Sequence, residues 1–453
     1  MSQHTSRPRP SDAWSDASGD ALSHAGGDAP VVDDEPPVDS SNWLHHILVG
    51  LHALTRLPAW VLALLVLALV ACAGALGYVA TRSAWAWLMA GLYLLFSLAD
   101  WAWLALLPRW RISFGPIAPP LLGLLAPRLA LGSCVAAGFG VMARVGLAPE
   151  AGVLIGLLLQ VVLSAAVVYA TYVEPFRLGV THLELTTCKL PAGQRVRLVQ
   201  LSDLHVERIT RREQELVERV NALEADYVLL TGDYLNFSYV GEPRAIADAR
   251  QVLGSLKARQ GVYAVRGTHQ VDPNAVMSAL FDGLSIRWLR NEFQIVRQDG
   301  YQIAFAGASC TRRRDIDLPA LDQALAGVPE DSYAVLLYHS PELVPDALAR
   351  GVDLYLAGHT HGGQVRLPLY GALFTATDVG KRYEMGCYPV QGLTLYVSRG
   401  LGMEGMAAPR ARFLCPPEIV CIDLVGLPAV GGTAAHGTAS DLGGQGVADA
   451  GCM

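Results

Sequence analysis

"RVRLVQLSDLH", residues 195–205, is a short apolar run that ends in an acid and a histidine. A continuous apolar run of this length is typical of a buried strand in a sheet that is covered on both faces. Asp203 and His205 stand two positions apart. In an extended segment, residues i and i+2 project to the same side. The segment therefore predicts a strand with two ligands for one ion at its end.

The same arrangement recurs along the chain. Two further runs, 393–400 and 418–425, close the series, and helical patterns occupy 211–226 and 244–259. Strands and helices that alternate in this way predict an α/β fold. Sites in open α/β sheets form at the carboxyl ends of the strands, so the residues after each run are expected to converge. These runs are 226–233 with Asp233, 261–269 with His269, 333–340 with His339, and 352–361 with His359 and His361.

The residue types at these strand ends indicate a metal. Asp with neutral His suits Mn, Fe, Zn or Co better than Ca, which prefers ligand sets made only of oxygen. A single His after a strand is more often a structural residue with satisfied hydrogen bonds. Three boxes of Asp and His in the same structural position favour a metal site instead.

Five motifs carry a resemblance to a known family. "SDLH", "TGDY", "RGTHQ", "YHSPE" and "AGHTHGGQV" resemble, in order and spacing, the signature of the calcineurin-like metallophosphoesterase superfamily. That signature is Asp-x-His, Gly-Asp, Gly-Asn-His-Asp/Glu, a lone His and Gly-His-x-His. The resemblance covers about 178–425, and the later "SRGLG" and "CPPEI" resemble its membrane-associated bacterial branch of YkuE/YaeI-like proteins. It implies a four-layer αββα sandwich.

The resemblance also implies a centre of two divalent metal ions and a role for each matching residue. A hydroxide held by the metals would attack phosphorus in a phosphoester substrate. His269 would lie near the leaving-group oxygen, as proton donor or charge stabiliser. By position, the first metal takes Asp203, His205 and His361, the second takes His339 and His359, and Asp233 bridges the two.

Two residues depart from the family pattern. Thr268 stands where the family has an Asn that binds the second metal, and its hydroxyl is expected to be a weaker ligand. Gln270 stands where the family has an acid, and it cannot raise the imidazole pKa of His269 as a carboxylate would. The sequence therefore predicts a weak second metal site and a rate reduced by about 10²-fold. Arg399, in "SRG", has two open interpretations, a phosphate contact or a surface contact.

The N-terminal part predicts a membrane region. Residues 43–176 are strongly apolar, in a chain whose mean hydropathy is +0.32. Stretches of about 20 apolar residues can cross a bilayer. Residues 58–80, 84–107 and 151–173 qualify, and 117–142 is a weaker fourth span with three prolines and Arg128. The acidic tail 1–42 and the Gly/Ala-rich tail 426–453 have little apolar surface to bury, so disorder is expected in both.

Charge at the span ends gives a topology. With four spans, more Arg residues flank the side that carries the C-terminal half, which predicts that this domain lies on the cytoplasmic side of the inner membrane. Asp100 lies within the second span. It has two interpretations, a functional carboxylate within the membrane or a carboxylate that is paired inside the helix bundle.

The sequence indicates an enzyme at a membrane. The net charge is −7 and no Lys/Arg run is present, which argues against nucleic-acid binding. The favoured interpretation is a membrane-anchored phosphoesterase that hydrolyses a phosphodiester, phosphomonoester or pyrophosphate. An anchored site suits a lipid-linked substrate. The alternatives are a degenerate site that binds a phosphoester or metal as a sensor or scaffold, and a transporter or receptor formed by the spans.

Overall fold

The structure is a computed structural model. It describes residues 54, 57–142, 149–298, 300–373, 375–403 and 410–428. The predicted tail 1–42 and residues 429–453 of the predicted C-terminal tail lie outside the described residues. The predicted boundary at residue 178 falls next to the first strand, which begins at Gly179.

Four helices in the described part of the chain are long and apolar enough to cross a membrane. The predicted weaker span is among them, since Pro127 lies inside a continuous helix. The last helix continues through a π-helical turn, Tyr169–Val173, and a 3₁₀ turn, Glu174–Phe176, which lead into the first strand. The helices are α1 Ala59–Thr81, α2 Trp85–Leu106, α3 Ala118–Met142 and α4 Pro149–Val168.

A buried polar cluster joins three of these helices. The Arg128 guanidinium on α3 donates to both carboxylate oxygens of Asp100 on α2, each at 2.6 Å. It also donates to Gln160 Oε1 at 2.8 Å and to Ser164 Oγ at 3.0 Å on α4. Asp100 is therefore paired within the bundle, the second of its two interpretations. Arg128, which weakens the apolar pattern of the third span, has its charge matched there.

The C-terminal half forms two mixed sheets that lie face to face. Among the described residues, one sheet has the order β1-β14-β2-β3-β4-β5, the other has β12-β13-β9-β8-β7-β6, and β10-β11 is a separate hairpin. The strands are β1 Gly179–Thr187, β2 Arg195–Leu201, β3 Tyr227–Leu230, β4 Gly261–Ala264, β5 Ile286–Trp288, β6 Glu292–Gln298, β7 Tyr301–Gly307, β8 Tyr333–Leu337, β9 Leu354–Ala357, β10 Arg366–Leu367, β11 Gly371–Ala372, β12 Gly386–Val390, β13 Leu393–Val397 and β14 Glu418–Gly426.

Apolar side chains fill the space between the sheets and cover both outer faces. The rings of Tyr227 and Tyr263 in one sheet lie 4.9 and 4.7 Å from the ring of Phe305 in the other. Burying a ring of this size stabilises the fold by about 2–3 kcal/mol. Three helices pack on the first sheet and two on the second, which confirms the predicted αββα sandwich. They are α5 Arg211–Ala222, α6 Pro243–Gly254, α7 Asn274–Phe281, α8 Arg314–Leu325 and α9 Val344–Ala349.

The sheet domain contacts the membrane helices through the loops at the carboxyl ends of its strands. Glu207, in the loop after β2, accepts from the Phe114 N–H at 2.8 Å in the α2–α3 connection and also pairs with Arg410. Tyr239, in the loop after β3, donates to the Phe114 carbonyl at 2.5 Å. Ala170, in the π-helical turn after α4, accepts from the Arg412 N–H at 2.8 Å. The loops that follow the strands thus face the membrane end of the molecule.

Candidate metal centre

The six predicted ligands lie at the carboxyl ends of four strands drawn from both sheets. Asp203 and His205 follow β2, and Asp233 follows β3 in the first sheet. His339 follows β8 in the second sheet. Among the described residues, these side chains form two buried groups that could each hold a metal ion. The groups are Asp203, His205 and His361, and Asp233, His339 and His359.

The first group brings two imidazoles against one carboxylate. Nε2 of His205 lies 3.0 Å from Nε2 of His361, and the two rings are stacked at 4.8 Å. Nε2 of His361 lies 3.3 Å from Oδ1 of Asp203. Two ring nitrogens that face each other at this distance repel unless a proton or a cation lies beside them. The arrangement therefore fits a metal ion.

The second group surrounds Asp233. Its Oδ2 lies 3.1 Å from Nε2 of His339 and 3.7 Å from Nε2 of His205, which belongs to the first group. The hydroxyl of Thr268 lies 3.3 Å from the same oxygen and 3.4 Å from Nδ1 of His359. Asp233 thus contacts an imidazole of each group, the arrangement that a bridging ligand requires. The Thr268 hydroxyl lies next to His359, in the second group.

Backbone carbonyls orient three of the imidazoles. Nδ1 of His339 donates to the Thr231 carbonyl at 2.6 Å, and Nδ1 of His205 donates to the Leu235 carbonyl at 3.3 Å. Each bond leaves Nε2 as the nitrogen for a ligand. For His359 the roles are reversed, because its Nε2 contacts the Ala376 carbonyl at 3.2 Å. Such outer contacts fix the tautomer and the ring orientation of histidines that bind metals.

Burial and mutual charge set the protonation of the group. Burial alone would raise the pKa of Asp233, but the charge and hydrogen bond of His339, together with the neighbouring imidazoles of His205 and His359, outweigh it and hold that pKa below 3.8. Burial opposes protonation of His339, yet Asp233 raises the pKa of His339 to about 10. Burial lowers the pKa of His359 and of His361 well below 6.5, which keeps both rings neutral. A proton and a metal cation therefore compete for the position beside Asp233.

The backbone at the centre adopts φ values that residues with a side chain rarely adopt. Five of the six predicted ligands have a left-handed φ, a strained region for residues other than Gly, Asn and Asp. Two glycines allow the neighbouring loops to approach the ligands closely. A Cβ on Gly267 would collide with Asp233, and a Cβ on Gly358 would collide with Asp203. The ligands with a left-handed φ are Asp203 (51°), His205 (43°), Asp233 (58°), His359 (69°) and His361 (51°), and the strain falls on the three histidines.

Three other residues singled out in the sequence lie outside both groups. His269 and Gln270 are half-buried in the loop after β4. The preceding Thr268 N–H donates to Oδ1 of Asp233 at 2.6 Å, so this loop borders the centre. Arg399 follows β13 and pairs with buried Glu418 at 2.7 Å, and it also contacts Thr181 at 3.3 Å. Neither of its two interpretations matches this internal ion pair, and its contact with a phosphate stays a prediction.

One buried residue near the centre escaped the sequence analysis. The Asp272 carboxylate accepts from the N–H groups of Asp233, Tyr234 and Gly267 at 2.7, 3.1 and 2.9 Å. Burial, and then the charge of Asp233, raise the pKa of Asp272 to about 7. This carboxylate ties the loop after β3 to the loop after β4. Asp272 lies three positions after His269, close to where the family pattern has its acid, but its carboxylate binds backbone N–H groups.

A second residue that was not predicted to lie near the centre is Arg312, in the segment "TRRRD" at 311–315. Its side chain is 8% exposed and lies 3.8 Å from Glu342 and 3.6 Å from Asp378, beyond hydrogen-bond distance. Glu342 stands three residues after His339. The Arg312 charge therefore lies on the side of the second group. Its long side chain is buried only in the fold, so the sequence pattern gave no sign of it.

Known proteins resemble the chain over the part that holds this centre. The family model for calcineurin-like phosphoesterases matches residues 196–363. The metallophosphoesterase YkuE of Bacillus subtilis is 30% identical over 56% of this chain and 88% of its own length. The phosphodiesterase YaeI of Escherichia coli is 27% identical over 51% of this chain and 82% of its own.

A relative from Bos taurus is named for a transmembrane part and a metallophosphoesterase domain. The transmembrane protein with metallophosphoesterase domain of Bos taurus is 30% identical over 50% of this chain and 53% of its own length. The similarity to the Bacillus protein, at 30% identity, extends over nearly the whole of that relative. Similarity of this extent shows that the chain belongs to the calcineurin-like phosphoesterase family.

Proposed function

We propose that the protein is a membrane-anchored, metal-dependent phosphoesterase that hydrolyses a phosphodiester, phosphomonoester or pyrophosphate. The observation that carries the proposal is the meeting of two Asp/His groups at Asp233, whose Oδ2 is close to imidazoles of both groups. Two bound divalent cations of the Mn, Fe, Zn or Co class would lower the pKa of a water molecule and offset the charge on the phosphoryl oxygens.

The chain's own residues prepare the centre for this chemistry. Asp203, His205 and His361 would hold the first cation and His339 and His359 the second, with Asp233 between them. Burial keeps the rings of His359 and His361 neutral, and a carbonyl orients the ring of His339, so the ligand geometry is formed in advance, although a cation would have to displace the proton of His339. The Thr268 hydroxyl would complete the second set as a weak ligand.

His269 is proposed as the residue that gives a proton to the leaving-group oxygen. It follows Thr268, whose N–H is bonded to Asp233, so its backbone is fixed beside the centre. It is half-buried, which leaves it accessible to a substrate. Gln270 stands where the family pattern has an acid, and an amide cannot raise an imidazole pKa as a carboxylate would, so we expect slower proton transfer than in the family pattern.

A lipid-linked substrate is the favoured class. The loops after β2 and β3, which carry Asp203, His205 and Asp233, also contact the α2–α3 connection through Phe114. A phosphoester held at the surface of the bilayer would therefore reach the metal centre without leaving the lipid. We also propose that 43–176 form the membrane region, that 178–425 form the catalytic domain, and that this domain lies in the cytoplasm.

Metal-dependent turnover by the purified full-length chain tests the proposal. With Mn²⁺, the protein in detergent is expected to hydrolyse bis(p-nitrophenyl) phosphate, and Asp233→Ala is expected to reduce the rate to background. Asp331→Ala, which removes an exposed carboxylate in a turn, is the matched control and should retain the rate. A rate that is unchanged by Asp233→Ala contradicts the metal assignment.

The alternative function is a sensor or scaffold that binds a phosphoester or a metal with little turnover. The observation that favours it is the Thr268 hydroxyl, at 3.4 Å from His359, in place of an amide oxygen. Metal analysis distinguishes the two functions. A protein that retains two metals per chain without hydrolysing soluble or lipid-linked phosphoesters would be a binder.

A further inference from the structure

A small hairpin beside the metal centre carries exposed apolar side chains. Strands β10 and β11 pair at Arg366–Ala372 and Leu367–Gly371. We call residues 366–373 the interfacial hairpin. Leu369 is fully exposed, and Leu367, Tyr370 and Leu373 are 45%, 59% and 45% exposed. Apolar side chains clustered in this way mark an interaction site.

The base of the interfacial hairpin is joined to the end of the last membrane helix. The Arg366 N–H donates to the Phe413 carbonyl at 2.9 Å, and the Phe413 N–H donates to the Gln364 carbonyl at 2.8 Å. The Phe413 ring packs edge-on against Tyr169 at 5.9 Å, where α4 ends. A strand rises about 3.3 Å per residue, so Leu369 lies within about 10 Å of this base. The exposed tip is therefore near the surface that the membrane helices leave.

Cations lie next to the aromatic residue of the tip. The Lys381 ammonium donates to the Tyr370 carbonyl at 2.6 Å and lies 3.7 Å from the centre of its ring. Arg382, which follows it, is exposed. A tyrosine with leucines on one side and cations on the other is typical of the membrane–water interface, where the cations meet anionic headgroups.

The interfacial hairpin is also connected to the turn that carries His361. The Arg366 guanidinium donates to the Gly362 carbonyl at 2.8 Å and pairs with Glu384 at 2.9 Å. The Thr360 hydroxyl donates to the Glu384 carbonyl at 2.7 Å. These bonds link the interfacial hairpin to Thr360 and Gly362, the residues on either side of His361.

We propose that the interfacial hairpin inserts Leu369 and Tyr370 into the headgroup region of the bilayer that α1–α4 cross. It holds the metal centre at the lipid surface, so that a phosphoester with a lipid anchor is hydrolysed while it stays in the membrane. The insertion stands on the exposure and position of the hairpin. The choice of a lipid-linked substrate rests on the proposed function.

Photo-crosslinking tests the insertion directly. The full-length chain, with benzoylphenylalanine in place of Leu369, is reconstituted into vesicles of phosphatidylethanolamine and phosphatidylglycerol and irradiated. Lipid adducts are expected at position 369. They are not expected at Ala192, an exposed apolar residue in the turn before β2, at the opposite end of the strands, which serves as the matched control. Equal lipid labelling at the two positions overturns the proposal, and so does a crosslink from 369 to a second copy of the chain.

Kinetics test the consequence for the substrate. Leu369→Asp is expected to reduce turnover of phosphatidyl-p-nitrophenol in vesicles by about tenfold or more, since a charge replaces the exposed Leu that would insert into the bilayer. Turnover of soluble bis(p-nitrophenyl) phosphate should stay unchanged, and Ala192→Asp, in the exposed turn before β2, should alter neither rate. Equal losses on both substrates overturn the proposal. If the unmodified protein hydrolyses neither compound, the proposed function fails, while the crosslinks still decide whether the hairpin inserts.

Discussion

Thr268 replaces the Asn of the family pattern. Among the described residues, its hydroxyl is the one that contacts the second group. Its Oγ1 is 3.4 Å from Nδ1 of His359 and 3.3 Å from Oδ2 of Asp233. We expect Thr268→Asn to raise occupancy of the second metal and to increase the rate by about tenfold, because an amide oxygen reaches further. Metal content per chain and turnover of a chromogenic phosphodiester measure both effects. Thr268→Val, which has no ligand atom, should lower occupancy; if Thr268→Asn changes neither quantity, Thr268 is not a ligand.

Asp272 is expected to maintain the loop that presents Asp233. In Asp272→Asn, one oxygen cannot accept from all three N–H groups, and leaving one unpaired costs about 1–3 kcal/mol of unfolding free energy. The variant should also lose metal, because Asp233 moves. Asp226→Asn is the matched control, since Asp226 accepts from the Arg197 N–H at the opposite end of β3. A variant that keeps full metal content would show that Asp272 has no positioning role.

The ligands were predictable because each one follows an apolar run at a fixed offset. Their order, and the Thr268 departure, could be taken from the sequence and the family signature. Asp272 and Arg312 could not, because nothing local distinguishes a buried loop residue from an exposed one. Their burial depends on contacts with Asp233, Glu342 and Asp378, which are far away in the chain.

The buried ion pair that links α2 and α3 makes a prediction about the helix bundle. Arg128→Met alone leaves Asp100 buried without its partner, and we expect a loss of about 3–5 kcal/mol in unfolding free energy. The double variant Asp100→Leu/Arg128→Met removes both charges and should recover most of that loss. Thermal unfolding in detergent measures the difference. A double variant as unstable as the single one would show that the pair itself, and not the uncompensated charge, determines the stability.

Elements with a strong periodic pattern were predicted, and elements without one were not. The runs at 226–233 and 352–361 contain the observed strands β3 and β9, which are shorter than the apolar runs. Strand β7, Tyr301–Gly307, was missed because it contains a glutamine and two alanines. Helix α8 was missed because Pro319 lies inside it and its apolar face is weak. Strand β7 is stabilised by pairing with β6 and β8, and α8 is stabilised by packing on the outer face of the second sheet.

The contact between the four apolar helices and the sheet domain is a property of the whole molecule. Glu207 lies two residues after His205. It accepts from the Phe114 N–H and pairs with Arg410. We expect Glu207→Gln to lower both the unfolding temperature and the metal content, and a double-mutant cycle with Arg410→Gln to give a coupling of about 1–3 kcal/mol. Glu292→Gln, at an exposed pair with Arg287, should cost less than about 1 kcal/mol. Additive losses in the cycle would contradict the link.

The four apolar helices and the fold class could be obtained from hydropathy and motif order. The contact of the sheet domain with the apolar helices could not, because it depends on side chains such as Phe114 and Tyr239 that have no motif. The cytoplasmic placement stays a prediction from the charge at the span ends. A reporter enzyme fused after residue 428, active only in the cytoplasm, would measure it.

The position of β14 has a consequence for the biosynthesis of the protein. This strand lies between β1 and β2, in parallel register with β1 from Gly179–Glu418 to Thr187–Gly426. A ribosome makes β1 directly after the last membrane helix but makes β14 only after all the other strands. Until then β1 has no neighbour in its sheet, and the apolar strands already translated remain open to wrong pairing beside the translocation machinery. Chaperone demand should therefore peak late in translation, when the membrane helices are already inserted.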